Sequence, residues 1–434
     1  MNCGLLTRVR QDPITNPGSD TSGHVHVISG SQGFSKEVDE NAQDLINADC
    51  TSCGIVEDMS VYWTANAYFA FQNGSFGELN QEDPNSGLRV YYFARLGNDD
   101  GQSTWPNGTT IPQKLPKAFP PGLRILAGNP NLGGYSDDPR QKAVTYSCYG
   151  QDDDDGKPHA WPNVQCDGFI RAEIYFPYCW NGKDLDSDDH FSHMSYGVNP
   201  DGEGDVDVGS SGGTCPPSHP VRTPAVFYER FFHVDMWNEM LDQAVNQSQP
   251  FVYSHGDGSG YGFHGDFISG WPQDKLQDAI DKCGSTISVD QCSALTVNDD
   301  DTKNNCKISP AVDEVTGGLG VTLDELPGGH QLRWDGPSVA EADTGDTDNG
   351  EASDGLADGS TTEAEISSEN SPTGEVMSAE SANPEDKDNT SLSLNSADGT
   401  EVDAALHDAG ASTLFVVACM SVIAIGLGSC HVHA

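Results

Sequence analysis

Positive charge is what this sequence has least of. Only 21 of its 434 residues are Lys or Arg, against 67 Asp or Glu, and the net charge is −46. Phosphate binding needs clustered cations, so nucleic acid is excluded as a partner and anionic membrane surfaces are disfavoured. Apolar residues are scarce too, at 35%, while Gly alone numbers 48, so much of the chain cannot bury a core. Those that exist concentrate between Ile55 and Trp271. A length that would allow two or three domains therefore predicts one folded domain of roughly 270 residues. Standard catalytic signatures are missing as well. Without a Walker loop or an HExxH helix, the usual P-loop and zincin chemistries have no support.

Cysteine is not scarce. Twelve are present, of which Cys50, Cys53, Cys148, Cys166, Cys179 and Cys215 fall in the expected domain, and Cys283, Cys292 and Cys306 at its end or beyond. Cys50-Thr-Ser-Cys53 has no second CxxC at ribbon spacing, so a closed four-ligand zinc site is disfavoured and disulfides are expected, with connectivity left open. Four sequons, at Asn73, Asn107, Asn246 and Asn389, point the same way, to an oxidising, exported context.

Met1-Asn-Cys-Gly-Leu-Leu-Thr-Arg8 has no apolar core of export-signal length, and residues 1–11 read as a remnant from which the signal is missing. At the other end, Ala411 to Cys430 is an apolar run followed only by His-Val-His-Ala. With small residues at Asn395-Ser396-Ala397 and a polar spacer between, this order fits a GPI attachment signal, a retained membrane helix being the alternative. The expectation is an extracellular protein tethered to the cell surface or wall by its C-terminal tail.

Between these ends, short apolar runs alternate with Gly, Pro, Asn and Asp clusters. Val61-Tyr62-Trp63, Leu88 to Phe93, Phe169 to Phe176 and Pro224 to Val234 are examples. They predict a mostly β fold, a sandwich or jelly-roll-like domain with few short helices, over residues 12–285. Asp274 to Asp281 is the clearest short amphipathic helix. Acidic loops at Asp152 to Asp155 and Asp201 to Asp207 lack EF-hand spacing and read as solvated. Residues 286–334 form a Cys-containing extension. Residues 335–410 hold a single Lys or Arg, Lys387, and predict a disordered acidic stalk; 411–434 are the tail.

Five histidine-bearing places stand out in the domain: His24-Val-His26, Asp189-His190-Phe-Ser-His193, Ser218-His219, His255-Gly-Asp257 and Phe263-His264-Gly-Asp266. On a strand, residues two apart share a face, so His24 and His26 can hold one ligand. With His219 they form the expected set for a divalent transition metal, leaving an open position as catalytic sites require. His264 with Asp266, or His193 with Asp189, is the expected proton-moving pair. Two metal-free readings use the same surroundings. Paired carboxylates drawn from Asp186, Asp188, Asp189, Asp257, Asp266 and Glu173 would suit glycoside hydrolysis. Tyr62, Trp63, Trp161, Trp180, Tyr261 and Trp271 would suit sugar stacking, although core packing is the commoner use of aromatic rings.

Several motifs, taken in order, resemble a known family. They are Asp12-Pro-Ile14 with His24-Val-His26; Cys50-Thr-Ser-Cys53 before Tyr62-Trp63-Thr64; Phe119-Pro-Pro-Gly-Leu-Arg124 with Leu126-Ala-Gly-Asn-Pro130; and Phe176-Pro-Tyr-Cys-Trp-Asn-Gly-Lys183. Leu185-Asp-Ser-Asp-Asp-His190, Ser192-His-Met194, Cys215-Pro-Pro-Ser-His-Pro220 and Tyr261-Gly-Phe-His-Gly-Asp-Phe267 complete the series. The chain is similar, over about Asp12 to Cys283, to the domain-of-unknown-function family numbered nineteen ninety-six. The resemblance implies a secreted protein of mostly fungal distribution, in a family some of whose members carry carbohydrate-binding WSC modules, and cell-wall polysaccharide as partner. His24, His26, His190, His193, His219, His264 and Asp266 match its motifs without an assigned role. The chain departs from the family in its missing signal and long acidic stalk. The expected function is action on polysaccharide through a histidine-rich, metal-binding cleft, the alternative being a non-catalytic glycan-binding or structural wall protein.

Overall fold

The structure, a computed structural model, describes residues 1–80, 87–94, 102–104, 110–112, 116–149, 157–163, 165–199, 213–284 and 289–334. Of the two compact units, Met1–Gly350 and Glu351–Ala434, the second lies wholly outside the described residues, as do both acidic loops, the stalk and the tail.

Alternation along the strands builds a sandwich of two five-stranded antiparallel sheets. The first runs Asn2–Cys3, Leu88–Phe93, Ala225–His233, Phe169–Tyr175, Val144–Cys148. In its Phe169–Tyr175 strand, Ile170, Ala172 and Ile174 point into the core, and Phe169, Arg171 and Tyr175 point out. The second sheet runs Arg124–Gly128, His264–Ile268, Val61–Ala65, His26–Gly30, Thr7–Val9. The sheets meet through aromatic rings: Tyr62 packs on Tyr228 at 5.9 Å, and Phe176 on Phe267 at 6.5 Å. Gly265 is needed at this contact, since a Cβ there would lie 3.0 Å from Phe176 and 3.2 Å from Tyr228.

A four-stranded sheet (Phe251–Tyr253, Ala67–Ala70, Phe76–Glu78, Thr322–Leu323) extends the sandwich. A small sheet of Met194–Ser195, Cys179–Trp180 and Val221–Arg222 flanks it. All four apolar runs named above are strands. The expected amphipathic helix is Gln273–Cys283, burying Leu276, Ala279 and Ile280, and the other described α-helices have six residues or fewer. None is long and apolar enough to cross a membrane among the described residues.

The second sheet's far face is covered as well. Ile28, Val61, Trp63, Leu126 and Ile268 pack there under Leu6, Ile14, Phe34, Val38 and Leu45, making a second core. This position matters for the site, because its histidines lie at one end of that same buried face.

Two segments set apart on sequence belong to the fold. Residues 1–11 supply the Asn2–Cys3 and Thr7–Val9 strands. Residues 289–334 return to the domain: Thr322–Leu323 pairs with Phe76–Glu78, and Glu314 pairs with Arg10 at 2.6 Å. Cysteine pairing explains the attachment. Five disulfides join Cys3–Cys53, Cys50–Cys306, Cys148–Cys166, Cys179–Cys215 and Cys283–Cys292. The two cysteines of the CxxC thus go to different partners, which rules them out as a zinc pair. Cys50–Cys306 closes 256 residues, so Cys306→Ser should cost about 2–5 kcal/mol and lower the thermal midpoint. Limited proteolysis should cut 307–334 first, and an unchanged melting curve and digestion pattern would contradict this account.

Candidate metal centre

The second sheet assembles the site by register. His26 pairs with Ala65, and Gly265 pairs with Thr64 on the opposite flank of the same strand. His264 therefore lies level with Ala65, and the two imidazoles stand on one face with only a methyl group between them. Asp266, two residues on, keeps that face. His24 precedes His26 by two residues and is fixed there by Val25, whose carbonyl accepts from Asn66 N at 2.9 Å and Ser254 Oγ at 2.8 Å. The His24 and His26 ring centroids are 4.3 Å apart.

His255 arrives from the tight turn that follows Phe251–Tyr253, where Gly256 adopts φ +86°. A side chain at Gly256 would strike the Gln331 carbonyl, at 2.1 Å. The His255 ring centroid lies 5.1 Å from His24 and 5.3 Å from His264. Gly262 makes the space for it, since a Cβ there would come within 2.7 Å of His255 Nε2 and 2.9 Å of Asp257 Oδ2.

Two backbone carbonyls set the tautomers. His26 Nδ1 lies 3.0 Å from Gln11 O, and His264 Nδ1 3.0 Å from Gly262 O. A carbonyl only accepts, so each Nδ1 is assigned the proton and each Nε2 turns a lone pair into the cluster. Among the described residues, His26 Nε2, both nitrogens of His255 and Asp266 Oδ2 are buried without a hydrogen-bond partner. His24 Nε2 and His264 Nε2 are 3.0 Å apart, the separation of two adjacent ligands at about 2.1 Å from one metal ion. Two overlapping groups, His24/His255/His264 and His26/His264/Asp266, have ligand atoms within 4.8 Å of one another. The donor set fits a divalent transition metal.

Electrostatics agree with the geometry. Burial, and then neighbouring imidazoles, hold His24 and His255 well below the usual histidine range. Burial also lowers His26, against the opposing effect of Asp12, and lowers His264 to about 4. Asp266 is pushed well above the usual carboxylate range by burial and then by Asp12. A cation would reverse the logic for Asp266 and use the neutral imidazoles as they stand. His24 is the partly exposed member, so the cluster opens to solvent on its side.

His24, His26, His264 and Asp266 thus lie together, whereas the other expected site residues stand apart. His219, expected as the third ligand, is half-buried elsewhere. Its Nε2 bonds the Ser192 carbonyl at 2.9 Å and its Nδ1 meets Ser218 Oγ, so the third imidazole beside His24 is His264 or His255 instead. His193 is buried between Arg124 O (2.6 Å) and Ser187 Oγ (2.9 Å). Asp189 reaches it only through Ser187 Oγ, at 2.8 Å. Burial opposes the charge of Asp189, but backbone donation from Ser192 and Phe191 outweighs it and holds the carboxyl below its ordinary range. These bonds brace the loop against the Arg124–Gly128 strand. His255 was visible in the sequence but had no strand spacing to tie it to the pair.

The metal-free protein should lose stability in acid. Unfolded histidine takes up a proton near pH 6.5 and buried His264 only near 4, so in that window the unfolded state binds more protons. Stability from this group is complete above about 6.5 and falls as the pH drops to 4, by about 3 kcal/mol. Asp266 acts in the opposite sense, so the informative measurement is a difference. Thermal melts of metal-free His264→Gln should fall less between pH 6.5 and 4 than those of the parent, and equal slopes would refute the assignment.

No curated protein and no solved structure matches the chain. The family model described as "Domain of unknown function (DUF1996)" matches residues 12–271, most of the folded domain, and the chain belongs to that family.

Proposed function

We propose that this domain is a metal-binding protein of the cell exterior that acts on polysaccharide through the histidine cluster. One observation carries the metal reading: several buried nitrogen and oxygen atoms of one cluster lack any partner, at ligand spacing. An unpaired buried polar atom costs about 1–3 kcal/mol, and a cluster of them needs an occupant.

His26 Nε2, His264 Nε2 and Asp266 Oδ2 form the two-imidazole, one-carboxylate set, with His24 and His255 beside it. A metal bound there supplies Lewis-acid or redox chemistry. Gln11 O and Gly262 O hold the two imidazoles in the ligating tautomer, as outer-shell carbonyls do in metal sites. His24, on the open side, is placed to meet a substrate.

Polysaccharide is supported by the family's association with carbohydrate-binding modules and by charge. A chain at −46 repels polyanions, whereas an uncharged glycan is indifferent to it. Five disulfides support an oxidising exterior. A second reading has its own support. His26, His255, His264 and Asp266 are all buried, as ligands of a purely structural metal would be, and that reading makes the domain a glycan-binding or wall protein.

Elemental analysis of the full chain after reloading should give close to one metal ion per chain, falling about 10–100-fold in affinity in His26→Ala with the fold intact by circular dichroism. Absence of metal in the parent would end the reading. Turnover of wall glucans lost in that variant supports the enzyme, and saturable glycan binding indifferent to it supports the wall protein.

A further inference from the structure

One buried acid elsewhere in the core is left unexplained by this site. Asp58 is fully buried and, among the described residues, no lysine or arginine pairs with it. It accepts from Ser60 N at 3.1 Å, from Tyr62 Oη, and from Tyr92 Oη at 3.3 Å. A neutral acceptor would satisfy the same donors without the cost of burying a charge. Its proton affinity is raised by that burial, to a pKa of about 6.

The phenols it holds belong to a line of rings that begins at the metal centre. Tyr228 Oη donates to the backbone carbonyl of Asp266 at 2.8 Å. Its ring meets Tyr62 edge-on at 5.9 Å, and Tyr62 Oη lies 2.6 Å from Tyr92 Oη. Trp271 Nε1 donates to Tyr92 Oη at 3.1 Å, with the two rings perpendicular at 6.0 Å. Packing alone accounts for rings in a sandwich core. It does not account for a carboxylate, buried away from lysine and arginine among the described residues, placed on their hydroxyls.

We propose that Tyr228, Tyr62, Tyr92 and Trp271 form an electron relay from the metal centre across the sandwich, with Asp58 taking the phenolic proton of Tyr62. The inference rests on the metal reading and adds a one-electron redox activity to it. Hydrogen peroxide is the oxidant. Its reduction to two waters uses two electrons and two solvent protons, one electron leaving the metal and the other Tyr62. The Tyr62 O–H bond breaks, its proton passes to Asp58 Oδ2, and a neutral tyrosyl radical remains beside a neutral carboxyl. Tyr92 then returns one electron and its phenolic proton to Tyr62 across their hydroxyl contact, and Trp271 one electron and its Nε1 proton to Tyr92, moving the oxidised site away from the ligands. A competing route exists. His255 stacks on Tyr253 at 5.7 Å and Tyr253 on Trp161 at 4.7 Å, but among the described residues the Tyr253 hydroxyl hydrogen-bonds Tyr146 and no carboxylate.

The full chain, loaded anaerobically with iron(II) and its bound iron measured, is mixed with hydrogen peroxide and freeze-quenched for electron paramagnetic resonance. A tyrosyl signal that narrows on ring-deuterated tyrosine is expected. It should fall by about tenfold or more in Tyr62→Phe and in Asp58→Asn at unchanged iron content, and persist in Tyr253→Phe. Bound iron with no tyrosyl signal, or a signal lost in Tyr253→Phe and kept in Tyr62→Phe, overturns the relay while leaving the metal centre standing. Failure of the parent to bind iron or any other divalent transition metal overturns the metal reading, and the relay with it.

Discussion

Two hydrogen bonds, from His26 Nδ1 to Gln11 O and from His264 Nδ1 to Gly262 O, decide what the cluster can be. Had the carbonyls met the Nε2 atoms instead, the imidazoles would have turned their donors inward and been ordinary satisfied core histidines. As it is, lone pairs converge on a buried space bordered by the unpartnered Oδ2 of Asp266. That is unfavourable for a protein alone and favourable for one that binds a cation. The rest of the sheet serves this arrangement. Ala65 keeps the ring pair apart by no more than a methyl group, and Gly262 leaves His255 its place while supplying one of the two carbonyls.

The same economy governs how the cluster is enclosed. His255 comes from a turn whose backbone is tied to the returning chain, with Arg333 N donating to Gly256 O at 2.8 Å and Gly258 N to Arg333 O at 2.8 Å. His330 Nε2 donates to Gly23 O at 2.7 Å, beside His24. Residues beyond the family match therefore pin both segments that carry the less regular ligands. Cys50–Cys306 fixes the start of that return, which is why a covalent link far from the histidines bears on their positions.

Much of the fold was legible in the sequence because it rests on local pattern. Leu88 to Phe93 and Phe169 to Phe176 alternate or run apolar over strand length, and the 276, 279, 280 spacing marks a helix face. Half the site was legible for the same reason, since His24-Val-His26 and His264-Gly-Asp266 are period-two patterns and each pair shares a face. That the two pairs meet depends on strand order, which no local pattern encodes. His255 reaches them from a turn, and His219, although near Gly and Pro in sequence, spends its ring on the Ser192 carbonyl. The extension was misplaced for a similar reason: disulfide connectivity is a three-dimensional fact, and Cys306 alone does not reveal Cys50 as its partner.

Seen together, the two buried carboxylates mark opposite uses of one constraint. Asp266 and Asp58 are both buried and, among the described residues, neither pairs with a lysine or arginine, the Met1 ammonium being the cation that acts on Asp58. Asp266 faces imidazole lone pairs, which cannot donate to it, so its charge calls for a metal ion. Asp58 faces phenolic hydroxyls, which can, so its charge calls for a proton. Tyr228 links the two, with its hydroxyl on the Asp266 backbone and its ring against Tyr62. A core built only for stability would hold neutral residues at both positions. Keeping two acids there, joined through one tyrosine, is the pattern expected of a centre whose redox changes must be matched by proton movement within the same core.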